Sequence, residues 1–367
     1  MSPQYTPSEA SSDLLYRDMM TRFLGPIIMH AFDNPDVTEV YTNPQDQRIW
    51  TIQRAGQRVD TGERIDAPSV VAFLNTVATT LNTTIGPETP SLQAELPLDR
   101  FRRARLQGLI PPVSPGPCFV IRKHAPSVIP LGAYVEDGAL TIEGAQLLRH
   151  AVAEHWNILV VGGTRSGKTT LAGAIVQEIT RQFPHERVVI LEDTAELRCA
   201  AEDHLALRTI EGGSLADLVK LTLRVSPDRI VVGEVRDHAA LYMLDAWQTG
   251  HPGSVATLHA TSPEGALLRL DLLCQRANVP SQIALIAEAV QLIVQMELRT
   301  RGGGTRPSVT RLVRVAGLDP HGRFILHCLD TTEESAAAQP PSGNGHVPHR
   351  SPHARPVQEQ LSFVAGV

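Results

Sequence analysis

The sequence predicts an α/β protein in which a largely parallel sheet covered by helices follows a smaller α+β domain. Through the middle of the chain, apolar strand-like runs at 157–161, 187–191 and 229–232 alternate with helical patterns at 168–183 and 214–224. Before them, short strand-like runs are interrupted by Asn, Gly and Pro, the texture of a small mixed domain. A third observation bounds the fold: beyond Asp330 the composition falls to Ala, Pro, Ser, Gly and His, with almost no apolar residue before Leu361. Such a tail buries too little apolar surface to order itself. The expected organisation is an N-terminal domain at 1–123, an interdomain linker at 124–144, the sheet-and-helix domain at 145–330 and a disordered tail at 331–367.

In chain order, Leu14, Leu15, Met19, Phe23, Leu24, Ile27 and Ile28 recur at close to helical spacing. Gly25-Pro26 interrupts them, which predicts an amphipathic opening helix bent late in its course. Val37-Thr38-Glu39-Val40-Tyr41 and Arg48-Ile49-Trp50-Thr51-Ile52 read as strands, 68–81 returns to helical spacing, and 92–122 gives further short strands broken by prolines. Pro126, Pro130, Gly132 and Gly138 then predict an irregular hinge.

Composition excludes several function classes. A chain of 367 residues, 42% apolar, can build two separate cores. Its formal net charge of −6 opposes wrapping nucleic acid by bulk positive charge, so direct nucleic-acid binding is not expected. No stretch approaches the ~20 apolar residues that span a bilayer, and 1–10 has no basic cluster before an apolar core. A cytoplasmic location is expected. Cys118, Cys199, Cys274 and Cys328 lie tens of residues apart, without the paired spacing of a zinc ribbon, and read as buried thiols.

The chemistry begins after the strand Asn157-Ile158-Leu159-Val160-Val161. It leads into Gly162-Gly163-Thr164-Arg165-Ser166-Gly167-Lys168-Thr169-Thr170, which satisfies G-x-x-x-x-G-K-[ST] with a strand before and a helix after. Glycines allow backbone N–H groups to turn inward around a β-phosphate, and the helix adds its positive N-terminal end. Lys168 is then placed for the β- and γ-phosphate oxygens of ATP. The Thr169 hydroxyl is placed for Mg²⁺, a hard ion that takes few protein oxygens.

Hydrolysis also needs an acid to orient water and one to hold the metal. Two apolar strands end in acids: Val188-Val189-Ile190-Leu191 in Glu192-Asp193, and Arg229-Ile230-Val231-Val232-Gly233 in Glu234. Open α/β sheets collect ligands at that edge. A single such acid is as often a helix cap or a solvated residue, and two behind a phosphate loop favour chemistry. In phosphate-loop proteins the second acidic strand commonly ends in Asp, whereas here Gly233 precedes a lone Glu234.

The phosphate loop, the Ile190–Leu197 acidic box, the segment from Leu223 to Arg236 and Thr249-Gly250-His251-Pro252-Gly253-Ser254-Val255-Ala256-Thr257-Leu258-His259-Ala260 together resemble the secretion and traffic ATPase superfamily. Within it the likeness is to the conjugal-transfer ATPases of type IV secretion systems, from about 14 to 330. The resemblance implies a hexameric ring whose subunits join an N-terminal domain to a RecA-like ATPase domain, with ATP between them. It assigns Lys168 and Thr169 to the nucleotide, Glu192 to the attacking water, Glu234 to Mg²⁺ and His259 to the histidine box. His251 and His259 would otherwise read as polar turn residues, and His251 receives no role. Arg105 and Arg122 match segments that clamp nucleotide from the N-terminal side, with Arg102 and Arg103 as alternatives to Arg105. Arg224, Arg229 and Arg236 have the fixed charge that a γ-phosphate or intersubunit contact requires, but surface arginines are commonplace and none is assigned.

The implied partners are inner-membrane components of a type IV secretion complex, with peripheral association at the membrane's cytoplasmic face. Rival readings are a type II secretion or type IV pilus ATPase, a RecA-like nucleic-acid motor, and a scaffold that binds nucleotide without hydrolysis. The cysteine spacing opposes the zinc module of many type II ATPases. Glu192 and Glu234 together oppose the scaffold.

Overall fold

The opening helix, α1 (Pro7–Asp33), is broken where Gly25 adopts φ 74° and ψ 173°, one residue before Pro26. The computed structural model describes residues 7–54, 56–97, 101, 103–123, 128–210, 213–301 and 304–329. The expected tail, Pro126 and Arg102 lie outside them. After α1 come β1 (Val37–Thr42), β2 (Arg48–Gln53), β3 (Arg58–Arg64), α2 (Ala67–Thr80), β4 (Ser91–Glu95), β5 (Arg105–Leu109) and β6 (Cys118–Arg122). The strands form an antiparallel sheet in the order β3-β2-β1-β6-β5-β4. Met20, Leu24 and Ile28 of α1 and Phe73, Leu74 and Val77 of α2 share one core with Val40, Leu106, Phe119 and Ile121 of the sheet. Asp66 caps α2 through the Ser69 amide, and Pro68 sits in its first turn, where a missing N–H costs nothing.

The second sheet is built from β7 (Ile158–Gly162), β8 (Val188–Glu192), β9 (His204–Arg208), β10 (Arg229–Val235), β11 (Val255–His259), β12 (Leu292–Arg301), β13 (Gly304–Leu318) and β14 (Phe324–Cys328). Their order is β14-β13-β12-β7-β11-β10-β8-β9. Strands β12 to β9 run parallel, and β13 and β14 add an antiparallel edge. Alternate residues of the parallel strands enter two cores. Leu159, Val161, Leu191 and Val232 meet α6 (Leu215–Thr222), α7 (Ala239–Gln248), α8 (Pro263–Gln275) and α9 (Ile283–Ala289). Ile158, Val160, Ile190 and Val231 meet α3 (Leu131–Glu136), α4 (Ile142–Ala153) and α5 (Lys168–Gln182). Burial on both faces explains the unbroken apolar runs of β7 and β8. The α/β architecture expected from the sequence is present.

One expectation needs correction. Residues 124–144 read as irregular, yet Leu131–Glu136 is the helix α3, and Leu131, Tyr134, Ala139 and Leu140 pack into the core of the second sheet. Pro130 sits at the N-cap, before the first turn, so it permits the helix rather than preventing it. The chain that joins the two sheets is correspondingly shorter than 124–144.

Candidate active site

Strand β7 delivers the chain to the phosphate loop between its neighbours β11 and β12. A Cβ on Gly162 would lie 2.4 Å from the Met296 carbonyl oxygen and 2.5 Å from Ser166 Oγ. Gly167 adopts φ 87° at the start of α5, where a Cβ would lie 2.9 Å from Pro307 Cβ. The loop therefore closes only with glycine at both ends. Gly163, Thr164 and Arg165 are exposed, whereas Ser166 is buried and its hydroxyl donates to the Gly163 carbonyl at 2.8 Å. No side chain caps α5, which leaves its first N–H groups available to an anion. Thr169 and Thr170, half-buried, begin the helix.

Lys168 is buried and donates to the Gly163 carbonyl at 2.8 Å, with His259 Nδ1 at 3.3 Å. Burial is the main cause that holds its ammonium below the usual lysine range. His259, the last residue of β11, turns its other nitrogen to Glu234 Oε1 at 3.2 Å. The two contacts fit one neutral tautomer, with Nε2–H donating to the carboxylate and Nδ1 accepting from the ammonium. Burial and then the Lys168 charge hold this imidazole below its ordinary range, against the opposing pull of Glu234.

The two strand-end acids occupy different surroundings. Glu192 is 5% exposed, and its Oε1 accepts the amides of Glu196 at 3.0 Å and Leu197 at 2.9 Å. Burial prevails over those bonds and pushes its carboxyl up to about 7. Glu234 accepts Arg236 Nη2 at 2.8 Å as well as facing His259. Burial would raise its carboxyl, but the Arg236 bond and the charges of Arg236, His259 and Lys168 prevail and lower it. One acid is thus poised near neutrality while its neighbour stays ionised, the division of labour that separates a proton acceptor from a cation ligand.

Arg105, at the start of β5, reaches this cleft from the N-terminal sheet. Its guanidinium meets Glu196 Oε1 at 2.8 Å and the Thr194 carbonyl at 3.1 Å, while its Nε is buried without a hydrogen-bond partner among the described residues. Arg122 lies opposite Arg105 in the β5–β6 register, exposed, and its charge helps to depress both Arg105 and Lys168. Arg103 is turned to Glu95 at 3.6 Å, away from the cleft lining. The cleft is lined by Arg105, Thr169, Glu192, Glu196, Glu234 and Arg236, among others.

Other sequence candidates fall elsewhere. Arg229 is fully buried against Glu186, and His251 donates its Nδ1–H to the Pro227 carbonyl at 2.8 Å, ahead of β11. The sequence reading named Arg165 and Arg236 but missed the pairings that organise the site. Arg236 bonds Glu234, and Arg165 forms a two-point pair with Glu39 of β1 at 2.7 and 3.3 Å. Arg236, two residues beyond Glu234, carried a weak signal; Glu39 carried none.

The loop and acids suit a nucleotide with a hard cation. The cradle excludes Cβ atoms at Gly162 and Gly167, Arg105 Nε is a buried donor still to be matched, and the Thr169 hydroxyl and Glu234 carboxylate in the cleft lining are oxygen donors of the kind a hard cation takes. No cluster of three or more His, Cys, Asp or Glu that could hold a metal ion occurs among the described residues.

The family model described as type II/IV secretion system protein matches residues 80–313. The probable conjugal transfer protein TrbB of Sinorhizobium fredii is 42% identical over 311 residues, covering 85% of this chain and 93% of that protein. Conjugal transfer protein TrbB of Rhizobium radiobacter is 42% identical over 315 residues, covering 86% and 95%. In fold, the chain is similar to the ATPase DotB of Legionella pneumophila, with TM-score 0.57 and 19% identity over 84% of this chain and 81% of that one. No described helix is long and apolar enough to cross a membrane. On the extent of the family match and the identity to the two conjugal transfer proteins, the chain belongs to the type II/IV secretion system protein family and to its TrbB-type conjugal transfer branch.

Proposed function

We propose that this chain hydrolyses ATP with Mg²⁺ as a subunit of a hexameric ring that powers type IV secretion, in conjugal DNA transfer or pilus assembly. The observation that carries the reading is the pairing of two acids of opposite tuning, Glu192 and Glu234, in one cleft with Thr169 and beside Lys168. Gly162 to Thr170 would wrap the phosphates with backbone N–H groups, and Lys168 would leave the Gly163 carbonyl for the β- and γ-phosphate oxygens. Thr169 and Glu234 would hold Mg²⁺, which when bound supplies charge neutralisation at the phosphate oxygens.

Glu192 orients the attacking water and, ionised, accepts its proton. His259 ties Lys168 to Glu234, so that a move by either is felt by the other. Arg236 holds Glu234 in this structure and would have to release that carboxylate for it to serve as a ligand to Mg²⁺. Arg105 and Arg122 close on the nucleotide from the N-terminal side, and Arg105 exchanges Glu196 for phosphate. The partners are further copies of this chain and inner-membrane secretion components, reached from the cytoplasmic side. Relatives named for conjugal transfer support that placement.

The test is steady-state ATP hydrolysis by the full chain with Mg²⁺ and with excess EDTA, beside Lys168→Ala. The reading expects metal-dependent turnover that falls by roughly 100-fold or more in Lys168→Ala, the scale of a lost phosphate contact in the transition state. Equal turnover by the variant contradicts it.

A further inference from the structure

Strand β10 slips out of register against β11 beside the two acids. Val232 faces Ala256 and Val235 faces Leu258, so Gly233 and Glu234 together oppose the single residue Thr257. An extra residue of this kind bends its strand, re-aims the side chains that follow and leaves a backbone group outside the ladder. The Gly233 carbonyl is accounted for: it accepts the hydroxyl of Thr257, which is 1% exposed. Buried backbone acceptors are nearly always matched, and this one is matched by a side chain.

Gly233 has a second duty. A Cβ there would lie 2.8 Å from Glu192 Cγ and 3.2 Å from Glu192 Oε1. The same Oε1 accepts the Glu196 and Leu197 amides, so Glu192 could retreat from an added methyl only by giving up those bonds. The bulge therefore serves both acids. It turns Glu234 toward His259 and Arg236, and its missing side chain gives Glu192 a seat. This accounts for the glycine that precedes Glu234 at the end of β10.

We infer that Thr257 is a positioning residue for ATP hydrolysis, its hydroxyl pinning the Gly233 bulge that sets the geometry of Glu234 and Glu192. The inference rests on the roles proposed above for those acids. A merely structural threonine would affect melting and leave the catalytic parameters of the folded protein alone.

The experiment measures kcat, KM and the pH dependence of kcat/KM for the full chain and for Thr257→Val, Thr257→Ser and Gly233→Ala, with melting temperature recorded for each. Thr257→Val keeps shape and loses the hydroxyl. It is expected to lower kcat by roughly 100-fold with little change in KM, the scale of a misplaced reacting group. Thr257→Ser, which keeps the hydroxyl, is expected to restore kcat to near the parent. Gly233→Ala is expected to lower kcat similarly and to move the acidic limb of kcat/KM. Parental kcat in folded Thr257→Val, or equal losses in Thr257→Ser and Thr257→Val, overturns the inference. Parental turnover in Glu192→Gln and Glu234→Gln instead overturns the reading on which it rests.

Discussion

The Lys168 ammonium lies 3.3 Å from His259 Nδ1. Because His259 Nε2 is at the same time 3.2 Å from Glu234 Oε1, the imidazole bridges the phosphate-loop lysine and the acid at the end of β10. His259→Ala should leave nucleotide binding near that of the parent and lower turnover by roughly 10- to 100-fold, the worth of one hydrogen bond to a charged group. Titration with a fluorescent ATP analogue and steady-state hydrolysis check it. Parental turnover in this variant would remove His259 from the site's working parts.

The pH dependence follows from Glu192, whose carboxyl burial pushes up to about 7. The proton acceptor must be ionised, so kcat/KM should fall about tenfold per pH unit below that value and level off above it. The same shift acts on stability with the opposite sense. A carboxyl raised in the folded state costs nothing below its unfolded value of about 4.3 and costs most above about 7. Glu192→Gln should therefore match the parent's stability near pH 4 and exceed it by about 3 to 4 kcal/mol at pH 8, measured by chemical denaturation.

Arg105 joins the N-terminal sheet to the cleft through Glu196 and the Thr194 carbonyl. Arg105→Ala should weaken ATP binding by roughly 10- to 100-fold, as loss of a charge-assisted contact does. Arg105→Lys should recover only part of it, since an ammonium keeps the charge and loses the planar fork. Isothermal titration of all three proteins distinguishes these outcomes, and unchanged affinity in Arg105→Ala contradicts the clamp.

Arg229 makes the contrasting case. It is 0% exposed, paired with Glu186, bonded to the Gly253 carbonyl at 2.9 Å and set over the Phe183 ring. A residue so enclosed cannot reach across to another subunit. Arg229→Ala removes a fully buried side chain and one of the two partners of the half-buried Glu186 carboxylate, which keeps His155 Nε2 at 2.8 Å, and should destabilise the fold by about 2 kcal/mol or more while leaving turnover per folded molecule unchanged. Thermal melts and active-site-normalised hydrolysis test the pair of expectations.

What the sequence disclosed divides along physical lines. The loop from Gly162 to Thr170 and the apolar strands before Glu192 and Glu234 are local patterns, and local patterns with a strong period are legible. The helix α3 was obscured because Pro130 and Gly132 read as breakers, although a proline at a helix start does no harm. Strand β3, Arg58–Arg64, lies at a sheet edge and is largely exposed, so it lacks the alternation that marks a half-buried strand. The Arg105–Glu196 pair spans the two sheets, and the Thr257–Gly233 bond depends on a register slip. Neither leaves a trace in residue spacing, because both arise only when separate elements meet.

If Glu192 and Glu234 act on a nucleotide held by the phosphate loop, their amide variants should separate ATP turnover from ATP affinity, both measured beside the parent in the same Mg²⁺ buffer. Glu192→Gln and Glu234→Gln should still bind ATP while turnover falls by roughly 100-fold or more, the scale of a lost catalytic acid or base. Turnover equal to the parent in either variant, with binding intact, would contradict it for that residue.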